Sequence, residues 1–218
     1  MSLTNSECVY SSESIQHMEK FERANFVNSL SGFKSANLIG TKSKNGITNL
    51  AIVSSVFHVG ANPPLIGMLM RPHTVARDTL QNIKDTGYFT INHVNADIVK
   101  EAHLSSARFD SDKSEFEATG LTEQYSTRLE APYVSQSHIK IGVKLKDIQL
   151  IELNKTELVI GEIVEVVTAN NYKADDGYIN IEAAGSIAVS SLDGYHTTSR
   201  IARFAYAKAG EEVRELEE

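Results

Sequence analysis

Apolar residues in this chain recur mostly at every second position or in short runs, which is the pattern of β-strands. Turn residues separate the runs, most clearly Asn45-Gly46 and Pro63-Pro64. Five or six strands with two or three helices predict one mainly β domain, a β-barrel with helical additions. The predicted strands are residues 36–41, 50–57, 65–70, 88–94, 137–153 and 157–168.

Helical spacing of apolar residues occurs in three segments. Residues 15–31 and 96–107 each carry a partial apolar face, and Val75, Leu80 and Ile83 indicate a helix after Pro72. Residues 108–132 are polar and turn-rich, which predicts an excursion over the barrel surface. The chain is thus read as a single domain, 1–218, with a helical extension at about 1–30 and an acidic, helix-like tail at about 207–218.

Composition narrows the class of partner. The net charge is −7, so neither nucleic acid nor an anionic membrane is expected as a partner. No apolar run approaches the roughly 18 residues that span a bilayer. Cys8 is the one cysteine, and the first residues lack a basic and an apolar signal region. These features predict a cytoplasmic protein that takes a small anionic ligand.

The segment from Arg71 to Thr79 carries the strongest chemical signal. Pro72 ends a buried strand and a helix follows, so the free N–H groups of its first turn would attract an anion such as phosphate. Arg71 and Arg77 add positive charge, and Thr74 and Thr79 add hydroxyl donors. The alternative is a set of surface ion pairs, for instance with Asp78, which contribute little.

The predicted strand at residues 50–57 has polar neighbours that are unusual for a core strand. Asn49, Ser54, Ser55 and His58 stand among apolar residues there. The serines could simply bond a neighbouring turn, or the strand edge could face a flat ligand with a polar rim. A second unusual segment, Tyr195 to Arg200, is either a surface loop or a lid over a ligand site.

Several familiar sites are missing from the sequence. The seven histidines have no metal-ligand spacing, and no nucleotide-binding glycine loop or hydrolase elbow occurs. His103 is read as an exposed or capping residue. With no acid–base dyad, chemistry would have to come from a cofactor, so neither catalytic side chains nor metal ligands are predicted.

These segments together resemble the flavin reductase-like family, whose members have an FMN-binding split β-barrel. The resemblance rests on Asn49 to Val56, on Asn62-Pro63-Pro64-Leu65 and on Arg77-Asp78-Thr79-Leu80 followed by Asn82-Ile83. It continues through Gly87 to Asn92 and Phe109 to Phe116. It ends with Gly120-Leu121 and with Arg200 to Tyr206, and so covers most of residues 30–206.

The resemblance implies a homodimer with FMN near the subunit interface and NAD(P)H as the co-substrate. It places the flavin ring against Ser54, Ser55 and Val56, and the phosphate on the turn that begins at Arg71. Hydride would pass from the nicotinamide to flavin N5. The predicted cofactor-binding residues are Asn49, Ser54, Ser55, Val56, His58, Arg71, Thr74, Arg77, Asp78 and Thr79.

Two other functions fit the same sequence. The protein could be an FMN-binding electron carrier or sensor without nicotinamide turnover. It could also be a split barrel for a different ligand, of the pyridoxal phosphate type or haem. The sequence has no recognisable nicotinamide motif that would decide between these readings.

Overall fold

The computed structural model describes residues 7–72 and 78–216. Its α-helices and strands are numbered in chain order, and short 3₁₀ turns at Ala96–Ile98 and Asn170–Tyr172 are left unnumbered. The helices are α1 (Ser12–His17), α2 (Lys20–Leu30), α3 (Asp78–Thr86), α4 (Val99–Leu104) and α5 (Glu115–Thr119). The strands are β1 (Lys34–Ser35), β2 (Asn37–Lys42), β3 (Thr48–Val53), β4 (Val56–Ala61), β5 (Pro64–Met70), β6 (Tyr88–His93), β7 (Glu123–Gln124), β8 (Tyr133–Val134), β9 (Ile139–Ile151), β10 (Thr156–Thr168), β11 (Ala188–Ser190) and β12 (Gly194–His196).

Seven of these strands form one antiparallel sheet in the order β3-β2-β6-β9-β10-β5-β4. The two long strands β9 and β10 lie near its middle and are joined by a tight turn after Ile151. The sheet edges, β3 and β4, are consecutive in the chain and separated only by Ser54 and Ser55. Two small sheets, β1-β11-β12 and β7-β8, lie outside it.

The sheet curls around an apolar cluster to which every one of its strands contributes. Side chains from β2, β5, β6, β9 and β10 are buried there, and Val53 of β3 and Val56 of β4 pack against it. Leu80 and Ile83 of α3 belong to the same cluster. A second cluster on the outer face joins β2 and β3 to α4, α5 and β11. The result is a barrel that stays open between β3 and β4.

The structure confirms the mainly β barrel and most of the predicted strands. The Asn45-Gly46 turn joins β2 to β3, and Asn62-Pro63 forms the turn of the β4–β5 hairpin. The predicted strand at residues 50–57 is wrong in one respect, because the chain divides it at Ser54 and Ser55. Val53 is the last partner of β2, and the Ser55 carbonyl already accepts from Leu69 N–H at 2.9 Å. The chain therefore changes from one sheet edge to the other at this link.

The sequence predicts that residues 108–132 form an excursion over the barrel surface. This prediction is wrong, because the segment contributes residues to the core. Helix α5 buries Phe116 and Thr119, and Leu121, Leu129 and Ala131 are also buried. Few apolar residues occur in this stretch, and their spacing is irregular. Phe116, Leu121, Leu129 and Ala131 nevertheless reach one of two core clusters, which a periodicity argument does not detect.

The two ends of the chain differ from expectation. The predicted helix at 15–31 is two helices, since Met18 and Glu19 are extended and Arg23 binds the Gln16 and Met18 carbonyls. Neither α1 nor α2 buries a residue. The predicted helical tail is wrong for residues 207–216, which contain turns and a bridge from Glu215 to Phe204. In the described parts of the chain, no helix is long and apolar enough to span a membrane.

Candidate cofactor site

A cleft of about 650 Å³ lies along edge strand β3 and the link that follows it. One wall, here called the strand wall, consists of residues 49–55, the end of β5 with Arg71, and the start of α3. The other, called the outer wall, consists of the end of α4, the loop after it and the β11–β12 hairpin. The cleft volume is within the range of pockets that hold small molecules and cofactors.

Some backbone groups of the strand wall point away from the neighbouring strand β2. The Leu50 N–H donates to Glu115 Oε2 at 3.1 Å, so it faces away from β2. Backbone groups alternate between the two sides of a strand, which directs the N–H and C=O of Ile52 to the same free edge. Ser54 and Ser55 follow at the point where the chain leaves this edge. The wall thus offers a donor, an acceptor and two hydroxyl groups in succession.

Asn49 and Thr79 are both part of the strand wall and are bonded to each other. The Asn49 amide donates to Thr79 Oγ1 at 2.8 Å, and both side chains are buried. This bond holds the start of α3 against β3. Asn82 makes a similar bond to Thr41 Oγ1 at 3.1 Å one turn further along the helix.

Arg71 and Asp78 are the charged residues at the end of the strand wall. Arg71 is exposed and donates to Asn28 Oδ1 of α2 at 3.1 Å. Asp78 is the first described residue of α3. Thr74 and Arg77, which the sequence also predicts for the site, lie outside the described residues.

The structure does not bring Val56 and His58 to this cleft. Both line a separate cavity of about 190 Å³, together with His93 and residues of β5, β6 and β9. The reason is the break at Ser54 and Ser55. Because β4 pairs with β5 on the opposite sheet edge, residues beyond the link belong to a different surface.

Glu115 is a cleft residue that sequence reasoning missed. Its half-buried carboxylate accepts from the backbone of β3, and burial raises its pKa, with a further contribution from the negative charge of Asp78. The only sequence signal was an acidic residue directly after Ser114, in the segment read as a surface excursion.

The outer wall also contains His103, which was not predicted for the site, and Tyr195, which begins the segment read as a surface loop or a lid. His103 is exposed, as expected, but its Nδ1 lies 2.9 Å from Tyr195 Oη, and both side chains line the cleft. Tyr195 belongs to β12, so the start of the predicted loop or lid is a strand beside the site. Arg108 and Phe109 extend the same wall.

Comparison with known proteins explains this architecture. The model of the flavin reductase like domain matches residues 31–182. The chain belongs to the flavin reductase-like family. The match begins just after α2 and ends before β11, so it includes the whole seven-stranded sheet of this flavin reductase-like protein and leaves out both ends of the chain.

Individual relatives agree with this assignment. The structure of a proposed flavin reductase with a split barrel domain from Shewanella frigidimarina is 52% identical, with a TM-score of 0.89, covering 92% of this chain and 100% of that one. Component B of nitrilotriacetate monooxygenase from Bacillus cereus shares the fold, with 20% identity, a TM-score of 0.78, and coverage of 90% and 98%. An uncharacterised protein of Methanothermobacter thermautotrophicus is 33% identical over 76% of this chain and 80% of its own.

Proposed function

We propose that this protein binds FMN in the cleft and is an NAD(P)H-dependent flavin oxidoreductase. It either reduces FMN or passes electrons from bound FMN to a small acceptor. The observation that carries the proposal is the position of the cleft. It runs along the open edge of the barrel, within the part of the chain that matches the family.

The strand wall fits the ring of a flavin. A flat ring with donors and acceptors on one rim matches the free Ile52 backbone groups and the hydroxyls of Ser54 and Ser55. These residues would bind the polar rim of the ring. The Asn49 amide is already hydrogen-bonded to Thr79, so its role is to fix the strand wall rather than to bind the ring directly.

The end of the strand wall fits the phosphate tail. Arg71 supplies positive charge beside the described start of α3, and a helix start attracts anions through its N–H groups and the positive end of its dipole. From the sequence we add Thr74 and Arg77 to this phosphate site. Thr79 contributes indirectly, through the bond that ties α3 to β3.

Bound flavin supplies the chemistry, because it accepts a hydride and releases electrons again. The protein side chains would orient the two reacting molecules and exclude water. No side-chain acid or base is required for hydride transfer. Glu115 keeps β3 in place through the Leu50 N–H and needs no further role.

We also propose a cytoplasmic homodimer with the flavin near the subunit interface. Support for the pairing of two chains comes from edge strand β4, which exposes Phe57 and Val59 by 42% and 43%; the position of the flavin is taken from the family resemblance. Exposed apolar side chains on a strand edge favour pairing with another chain. The net charge of −7 is consistent with a small-molecule ligand rather than nucleic acid.

The first test is the visible spectrum of the purified protein, followed by anaerobic addition of NADH or NADPH. A flavin spectrum that bleaches rapidly supports the oxidoreductase. A flavin that does not bleach indicates an electron carrier or sensor. A pyridoxal phosphate or haem spectrum would show that the barrel has another ligand.

Replacement of Arg77 by alanine should weaken FMN binding by about tenfold to a hundredfold, because a charge-assisted bond to phosphate is lost. The dissociation constant can be measured from quenching of flavin fluorescence. Arg214→Ala, at an exposed position outside the cleft, is the matched control. Equal affinity in the Arg77 variant and the wild type would refute the phosphate assignment.

A further inference from the structure

We propose that the outer wall of the cleft is the subsite for the molecule that exchanges electrons with the flavin, and that it selects a planar molecule with a negative charge. The subsite consists of His103, Arg108, Phe109 and Tyr195. This inference rests on the proposed function. It adds a second ligand site to the same cleft and assigns its chemistry.

The hydrogen-bonding part of the subsite is the His103–Tyr195 pair. Their rings meet edge to face with centroids 5.7 Å apart, and His103 Nδ1 lies 2.9 Å from Tyr195 Oη. Tyr195 also packs against the outer apolar cluster, which fixes its ring. Burial and the charge of Asp193 raise the pKa of Tyr195, so its hydroxyl keeps its proton. The pair thus presents a fixed polar group to the cleft.

The charged part is Arg108, in the loop between α4 and α5. It is exposed and lines the cleft, and it makes no ion pair with any residue of the described chain. Its guanidinium group is planar and can bind a carboxylate or phosphate through two parallel bonds. Phe109, the next residue, is half-buried and adds an aromatic surface for a flat ring.

The position of these residues distinguishes them from the flavin site. None belongs to the strand wall. Tyr195 lies beyond residue 182, where the match to the family ends. His103, Arg108 and Phe109 lie within the part of the chain that matches the family. The subsite therefore combines residues of the shared domain with one residue of the β11–β12 hairpin, whose Tyr195 Oη lies 2.9 Å from His103 Nδ1.

Two molecules have the required chemistry, the reduced nicotinamide and an anionic aromatic acceptor. The test compares Arg108→Gln and Tyr195→Phe with the wild type in their flavin-loaded forms. Steady-state KM and kcat are measured for NADH, NADPH and a carboxylated aromatic acceptor. Calorimetric titration with NADP⁺ and with benzoate then reports binding without turnover. Lys113→Gln, in the same loop but outside the cleft, is the control.

We expect Arg108→Gln to raise one KM by on the order of 10-fold or more, with kcat and FMN affinity little changed. Arg108→Lys should restore part of the loss. A higher KM for the nicotinamide or for the acceptor identifies which molecule occupies the subsite, and either supports the proposal. Unchanged KM values and binding isotherms would overturn it, as would a loss of FMN affinity. A wild-type protein that binds no flavin would instead refute the proposed function.

Discussion

Replacement of Phe116 by alanine should lower the free energy of unfolding by about 3–5 kcal/mol, the usual cost of removing a buried phenylalanine ring. Phe116 is 2% exposed and lies in the outer apolar cluster, which joins α5 to β2, β3 and α4. Its loss would leave a cavity directly behind the strand wall. Urea denaturation followed by circular dichroism measures the change.

Phe21→Ala is the matched control, because Phe21 in α2 is 80% exposed. Its effect should stay within about 0.5 kcal/mol. If the two variants were equally stable, the assignment of α5 to the core would be wrong. A shift in FMN affinity for Phe116→Ala, beyond the loss of stability, would show that the cluster also fixes the position of β3.

Lowering the pH from 7 to 4 should destabilise the protein by up to about 3 kcal/mol through His93 alone. Burial lowers the pKa of His93 from 6.5 to about 4. Between these values the unfolded chain binds a proton that the folded protein does not. Stability is therefore full above about pH 6.5 and is lost as the pH falls toward 4. Unfolding free energies measured at several pH values between 4 and 7 test this.

His93→Asn is the informative variant, since an amide can keep the 2.9 Å bond that the ring nitrogen makes to Ser186 Oγ. It should flatten the pH dependence in this interval. His17→Asn, which removes an exposed histidine at the end of α1, controls for the simple loss of an imidazole. An identical slope for wild type and His93→Asn would show that other groups cause the acid sensitivity.

Local signals in the sequence were sufficient for most of the barrel. Alternating apolar residues and the turns at Asn45-Gly46 and Asn62-Pro63 predicted the strands, because each signal acts within a few residues. The core role of Phe116 depends on contacts with distant strands. No spacing within residues 108–132 could indicate it.

The residues of the candidate site also divide into those that the sequence predicted and those that depend on long-range contacts. Asn49, Ser54, Ser55, Arg71, Asp78 and Thr79 come together at one cleft, and the resemblance to the family had grouped them. Val56 and His58 were predicted for the same site, but they follow the break at Ser54 and Ser55 and lie at another cavity. Glu115, Arg108 and Tyr195 reach the cleft only through long-range folding.

The link at Ser54 and Ser55 also determines where this protein can open most easily. Strands β6, β9 and β10 are paired on both sides, whereas β3 and β4 each have one partner in the sheet. Edge strands exchange their amide hydrogens through small local openings, which cost less free energy than unfolding of the whole sheet. Entry and release of a ligand at β3 can therefore use fluctuations that leave the centre of the barrel intact.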